Sequence, residues 1–363
     1  MNTTAKLMIA AGALAALATP ILAQQRPGGG ERLPKECRAE IVKLCGTDRS
    51  QIRTCLAEKA SQLSEGCRAE LRARIEQRRG QGGGAGGSEG EGAGGAAAAD
   101  TPPPQTLSYG KDSLQGIDLW VPEGAGKAPL VLFVHGGGWK RGSKNNAMGR
   151  AMPAHMLEQG YAFASIDYRL VPAATVEQQA ADVAAALAHL LKRADALGID
   201  RSRVVLTGHS AGAHLVALVG TDERYLKKAG LSFADIDGVM PNDGAAYDVA
   251  RQVAQSGGRM GGVYIEAFGT DPARQQALSP ITHAAGPNAP AFLLIHVQRP
   301  DGVAQAKALA EALERAGTAV EIGSFPGDGL RGHMEINRKL GQPDYPATPV
   351  MDAWLKAVFG QTA

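Results

Sequence analysis

The residues Gly208-His209-Ser210-Ala211-Gly212 carry the strongest chemical signal in the sequence. They directly follow an apolar run, Val204-Val205-Leu206, and lead into another, Ala213 to Val219. A serine flanked by glycines at this spacing suits a nucleophile standing clear of the backbone on a sharp strand-to-helix turn. The glycines tolerate the close contacts and strain that such a turn imposes. A helix beginning there also aims its N-terminus at charge developing on a substrate oxygen. Gly-x-Ser-x-Gly alone says little in a chain with 47 glycines, so the apolar runs on either side give the motif its weight.

A second, independent motif is His135-Gly136-Gly137-Gly138-Trp139, which ends the apolar run Leu130 to Val134. Three consecutive glycines let backbone N–H groups turn toward a substrate carbonyl oxygen that a bulkier residue would screen. The expected oxyanion donors are therefore the N–H groups of Gly137, Gly138 and Ala211. A phosphate-binding loop would need a Lys-Ser/Thr ending or a G-x-G-x-x-G pattern, and neither is here.

The elements that must position these groups read as alternating strands and helices. Buried-strand runs are expected at Pro129–Val134, Tyr161–Ile166, Arg203–Leu206, Ala291–Val297 and Val320–Phe325. Helices lie between them. Over Val176–Leu191 the residues Val183, Leu187, Leu190 and Leu191 share one face, and Ala304–Ala316 forms another helical stretch. This alternation predicts an α/β fold: a mostly parallel sheet with helices on both faces. Leu107–Tyr109 and Gly116–Val121 read as an antiparallel hairpin at the sheet edge, and Asp243 to His283 as a small cap bounding the substrate.

The two motifs stand about 75 positions apart, in an order that resembles the α/β-hydrolases of the hormone-sensitive-lipase-like carboxylesterase branch. Tyr109-Gly110, Asp118-Leu119-Trp120-Val121-Pro122, Asp167-Tyr168-Arg169-Leu170 and Asp243-Gly244 are similar to landmarks of that branch. The resemblance covers residues 106–363. It implies the α/β-hydrolase fold and activity like that of small-substrate carboxylesterases, including feruloyl and acetylxylan esterases, and aryl formamidases. It also implies a triad in the chain order Ser, acid, His. Of eight histidines, only His214, His283, His296 and His333 lie beyond Ser210. His214, one turn along the helix that Ser210 opens, reads as packing, and His296, inside an apolar strand, as a core residue. His283 falls in the cap. His333 lies in the Gly-rich stretch Gly327 to Gly332 after the last strand, and Gly332-His333 with Ile336-Asn337 and Leu340-Gly341 is similar to the terminal motif of related esterases. His333 is thus the expected base. The acid should leave the strand Ala291–Val297, and Asp301 is the first carboxylate there. Its spacing from His296 is one residue longer than the family pattern, and a helix N-cap is its competing role. Asp328 is the fallback.

The N-terminal part differs in kind. Lys6, the apolar run Leu7 to Ala18 and Ile21-Leu22-Ala23 predict a secretory leader over residues 1–23, so the protein is expected to be exported, to the periplasm or beyond. The apolar run is too short for a spanning helix and is broken by Pro20, so no membrane span is expected after cleavage. All four cysteines, Cys37, Cys45, Cys55 and Cys67, fall within residues 31–79. Apolar residues at helical spacing predict a helical hairpin there, with a polar break from Gly46 to Ser50. In such a hairpin Cys45 would face Cys55, and Cys37 would face Cys67. Zinc binding would favour Cys-x-x-Cys spacing, which is absent. Cys37-Arg38, Lys43-Leu44-Cys45, Thr54-Cys55-Leu56 and Cys67-Arg68 resemble a single Golgi-type cysteine-rich repeat, which implies an extracytoplasmic module and no chemistry. Residues 80–105, dominated by Gly and Ala and ending in Pro102-Pro103-Pro104, read as a tether.

A formal net charge of +2 offers no nucleic-acid partner. Its basic surplus sits in residues 31–80, twelve Lys/Arg against eight Asp/Glu. The expected activity is hydrolysis of small carboxylic esters through an acyl-enzyme, with no metal or organic cofactor. Amide hydrolysis of the aryl formamidase type is one alternative. A non-catalytic binding protein on the same scaffold is another, and the cysteine-rich module has room for a surface or protein partner.

Overall fold

Runs of apolar residues long enough to be buried on both faces decide the architecture. In the computed structural model the described residues are 33–46, 55–56, 59, 62–71, 101–124, 126–145 and 151–360. The expected leader over 1–23, residues 47–50 of the expected polar break and residues 80–100 of the expected tether lie outside them. The chain divides into two compact units, residues 1–91 and 92–363.

In the first unit, helix α1 spans Lys35–Cys45, with Glu36 in its first turn and Lys43 in its last, each favourable to the helix dipole. Residues 65–71 are also helical. Disulfides join Cys37 to Cys67 and Cys45 to Cys55, the nested pairing that a hairpin dictates. Around them a small cluster buries Ile41 and Leu63, with Leu33, Leu44, Leu56 and Leu71 packed against it. Ser64 donates its hydroxyl to Glu40 at 2.7 Å, tying the second helical segment back to α1.

The second unit is built on one eight-stranded sheet in the order β1-β2-β4-β3-β5-β6-β7-β8. Its strands are β1 Gln105–Ser108, β2 Gly116–Trp120, β3 Ala128–Val134, β4 Ala162–Ile166, β5 Ile199–His209, β6 Gly238–Asn242, β7 Ala291–Gln298 and β8 Ala319–Asp328. The β1–β2 and β2–β4 pairs are antiparallel and all others parallel. Every residue of β3, β4 and β6 is buried, as expected for strands covered on both faces. This is the α/β-hydrolase fold. The expected edge hairpin is present as β1 and β2. Strand β6 is one that periodicity alone did not reveal.

Helices α2 (Ala151–Glu158), α3 (Val176–Lys192), α4 (Ala211–Thr221), α5 (Val249–Gln255), α6 (Gly258–Phe268), α7 (Pro300–Arg315), α8 (Gly329–Lys339) and α9 (Ala347–Gly360) cover the sheet, with shorter turns between them. Helix α3 buries Val183, Leu187, Leu190 and Leu191 against one face, together with α4 and α7. Met152 and Met156 of α2, Ile336 of α8 and Trp354 and Leu355 of α9 fill the other face. Arg169 grips Asp182 of α3 through two bonds of 2.9 and 2.7 Å, so the Asp167–Leu170 landmark works as a brace between loop and helix.

Strand order reverses between β3 and β5, each of which runs parallel to the other. Such a switch point opens a crevice at the carboxyl ends of the strands. Register places Val134 beside Gly208, and His209 beside Asn242. The segments that follow β3, β5 and β6 therefore emerge side by side.

Candidate active site

Ser210 stands between β5 and α4 with φ 57° and ψ −115°, a conformation L-residues seldom adopt. The glycine two residues on makes the turn possible: a Cβ on Gly212 would lie 2.0 Å from the Val134 carbonyl oxygen. The Ser210 N–H donates to Asn242 O at 3.1 Å, and its own carbonyl accepts from His214 N at 3.1 Å, opening α4. The oxyanion candidates are close by. A Cβ on Gly136 would come within 3.1 Å of Ser210 Cβ, so the loop after β3 runs against Ser210. Gly137 has φ 118° and Gly138 φ 62°, while Ala211 is the first residue of α4. At Gly137 a side chain is excluded, because its Cβ would meet Arg141 O at 2.0 Å. Val263 of α6 sits over Gly138, so part of the expected cap touches the oxyanion loop.

His333 was expected in a loop; instead β8 runs on to Asp328, and His333 lies in the second turn of α8. Gly327 and Gly332 pack so closely that a Cβ on the latter would meet the Gly327 carbonyl carbon at 2.4 Å, which lets the helix start immediately. His333 is buried and reaches the residue before Ser210: His209 Nε2 donates to His333 O at 2.9 Å, with ring centroids 4.3 Å apart. Burial, with the neighbouring His333, pushes the His209 imidazole well below its usual range, so His209 is a neutral donor there.

The carboxylate on His333 is Asp243, whose Oδ2 accepts from His333 Nδ1 at 2.5 Å. Asp301, expected from the sequence to hold His333, is not brought to it. Its carboxylate pairs with Arg299 at 3.2 Å and accepts weakly from Gln252 at 3.4 Å. Nor is it the helix N-cap, a place taken by Arg299 with Pro300 opening α7. The physical reason is that α7 begins directly after β7, which leaves Asp301 in the first helical turn. Asp243 is fully buried at the end of β6, with φ 43°. Its N–H donates to Ile295 O at 2.7 Å and its Oδ1 accepts from Val297 N at 3.2 Å. Burial alone would push its carboxyl up, but the His333 bond and the Arg299 guanidinium outweigh that and hold it below the usual carboxylate range. Sequence reading noted Asp243 only as a landmark; its position just past a short buried strand was the available signal.

The other three histidines beyond Ser210 bond to backbone carbonyls elsewhere. His214 is fully buried, donates to Leu278 O at 2.9 Å, and is pushed down to about 4 by burial. His296 is buried within β7, 3.1 Å from Val297 O, and His283 donates to Ala277 O at 2.9 Å. Asp328 is exposed at the end of β8. Four non-glycine residues have positive φ among the described residues: Trp139, Ser210, Asp243 and Ala246. They lie on the segments following β3, β5 and β6. Strain of ~1–3 kcal/mol per residue persists where the surroundings enforce it, and it gathers at functional sites.

Known proteins resemble this unit. Esterase LipC of Mycobacterium tuberculosis is 37% identical over 114 residues, covering 31% of this chain and 28% of that protein. The kynurenine formamidase of Drosophila melanogaster is 32% identical over 114 residues, covering 31% of this chain and 36% of that protein. The chain thus spans only about a third of these relatives' length. Esterase B of Lactobacillus rhamnosis superposes with a TM-score of 0.59 at 23% identity, over 81% of this chain and 95% of that one, a likeness of fold. Residues 117–313, more than half of the chain, match the family model described as BD-FAE, and the chain belongs to that family.

Proposed function

We propose that the protein is a carboxylesterase-type serine hydrolase whose triad is Ser210, His333 and Asp243. The observation that carries this reading is the 2.5 Å His333–Asp243 bond, formed by a histidine packed on His209, the residue before a serine held on a strained strand-to-helix turn. A serine hydroxyl is inert at neutral pH without a base, and an imidazole oriented by a buried carboxylate supplies one. His333 takes the Ser210 proton as Oγ attacks the acyl carbonyl. The oxyanion is met by the N–H groups of Gly137, Gly138 and Ala211. Collapse of the tetrahedral intermediate expels the alcohol, which receives that proton from His333. A water that gives its proton to His333 then attacks the acyl-enzyme, and the second tetrahedral intermediate collapses to release the carboxylic acid as Ser210 Oγ takes that proton back from His333.

Small carboxylic esters are the proposed substrates, in keeping with the esterase named among the relatives. Amide cleavage is the second reading, favoured by the formamidase relative. Ser210→Ala should lower p-nitrophenyl acetate hydrolysis by ~10³-fold or more. It should also abolish labelling by a fluorophosphonate while the melting curve stays in place. Undiminished turnover in that variant would overturn the assignment, and a missing adduct on the unaltered protein would favour the binding-protein alternative. A panel of acetyl, butyryl and feruloyl esters beside a formyl amide separates the two enzymatic readings. The proposal includes export, with the stapled first unit acting as a Golgi-type cysteine-rich module suited to an oxidising compartment.

A further inference from the structure

Arg299, the first residue after β7, pairs with both Asp243 and Asp301. Its side chain is 15% exposed and faces oxygens of three residues. Nη2 donates to the carbonyls of Asp243 at 3.2 Å and Gly244 at 2.9 Å, and Nε lies 3.2 Å from Asp243 Oδ2. Nη1 reaches Asp301 Oδ2 at 3.2 Å. One guanidinium thus binds the backbone of a positive-φ residue, that residue's buried carboxylate, and a second carboxylate nearer solvent.

Each part has a physical consequence. A buried carboxylate needs a partner, and while His333 is neutral Arg299 is the charged group recorded beside Asp243. The two carbonyl bonds fix the strained turn that aims Oδ2 at His333. Yet an unopposed guanidinium would cancel much of the field with which Asp243 stabilises a charged imidazole. Asp301 opposes it, so Asp243, Arg299 and Asp301 together carry one net negative charge. We propose that Arg299 is a positioning residue acting through Asp243, and that Asp301 is its counter-charge, setting how strongly Asp243 favours the charged form of His333. The proposal rests on the triad named above.

Tyr247, which interacts with Asp243 and Arg299, and Tyr264 of α6, which interacts with Asp301 and Arg299, have hydroxyls that burial pushes up. His209, from the end of β5, is kept neutral by burial, and the Tyr345 hydroxyl is pushed up to about 12 by burial. On α8 itself Glu335 and Lys339 neutralise each other at 2.6 Å, with Arg331 and Arg338 exposed.

The test is the kcat/KM pH profile for p-nitrophenyl acetate, whose acidic limb reports loss of the free base. Removing a nearby positive charge favours the imidazolium, so Arg299→Gln should move that limb to higher pH by roughly 0.5–1 unit. Removing a negative charge does the opposite, so Asp301→Asn should move it to lower pH. Misaligned Asp243 should also lower kcat in Arg299→Gln by up to ~100-fold with KM little changed. Arg299→Lys, which keeps the charge but not the forked geometry, should restore the limb while recovering kcat only in part. Limbs unmoved in both variants, or moved in the same direction, would overturn the inference while leaving the triad intact if Asp243→Asn is inactive. An active Asp243→Asn removes the triad reading and this inference with it. Should Arg299→Gln fail to fold, Asp301→Asn, on a more exposed side chain, decides alone: an unmoved limb rejects the proposal.

Discussion

Two adjacent strands are each followed by an aspartate, and the structure uses the two differently. At the end of β6, Asp243 is fully buried, conformationally strained and bonded to His333. At the end of β7, Asp301 has a side chain 38% exposed, sits in the first turn of α7 and holds Arg299. Both are acids at the carboxyl edge of a parallel sheet, where an α/β fold collects its chemistry. The difference teaches that a place at the carboxyl edge of the sheet does not by itself bring an acid to His333. Backbone direction does: the turn after β6 points its carboxylate inward, whereas the immediate helix after β7 carries Asp301 alongside.

The kinetic consequence is the largest way to break this comparison. Asp243→Asn should reduce kcat by ~10³–10⁴-fold, because the amide no longer enforces the His333 tautomer or stabilises its charged form. Asp301→Asn should cost less than about tenfold, since only a background charge is lost. Measured side by side on one ester, a reversal of these two losses would return the catalytic role to the end of β7.

How much of this could be read from residue order follows the same division. Ser210 and the His135–Trp139 loop are local patterns, each a strand, a turn and glycines within about ten residues, so their local geometry was legible. His333 was legible by chain order, although its loop proved to be a helix, because Gly327 and Gly332 nest against each other. Asp243 was not. Strand β6 has five residues and includes Pro241, a residue that argues against a central strand because it lacks an N–H. Its neighbours are fixed only by register, His209 to Asn242 on one side and Asn242 to Ile295 on the other. Those pairings join segments far apart in the chain, which one-dimensional spacing does not carry. Asp301 had the right position after an obvious strand, but Pro300 at the first helical position turned the chain before a loop could form.

Stability should separate the two acids next. Asp243→Ala would leave Arg299 and His333 facing a buried gap, and breaking a buried pair by removing one partner costs ~3–5 kcal/mol. Asp301→Ala removes half of a partly exposed pair, a change of ~0–1 kcal/mol. Chemical denaturation of both variants provides the comparison. Equal losses would mean that Asp243 is no more deeply engaged than its neighbour.

The smallest effect is in the pH dependence of that stability. Asp243 is held below the usual carboxylate range when folded, against an unfolded value of ~3.9. A group whose folded value is depressed contributes stability fully above its unfolded value, and loses it as pH falls through the folded one. Asp243's own contribution to the margin by which the unaltered protein exceeds Asp243→Asn should therefore stay fully present down to about pH 5. Below about pH 4 that margin should narrow, as the protonated acid comes to resemble the amide. Urea midpoints taken across this range test it directly. A margin that stays flat to pH 3 would mean that the hydrogen-bonding shape of Asp243, and not its charge, is what His333 and Arg299 hold.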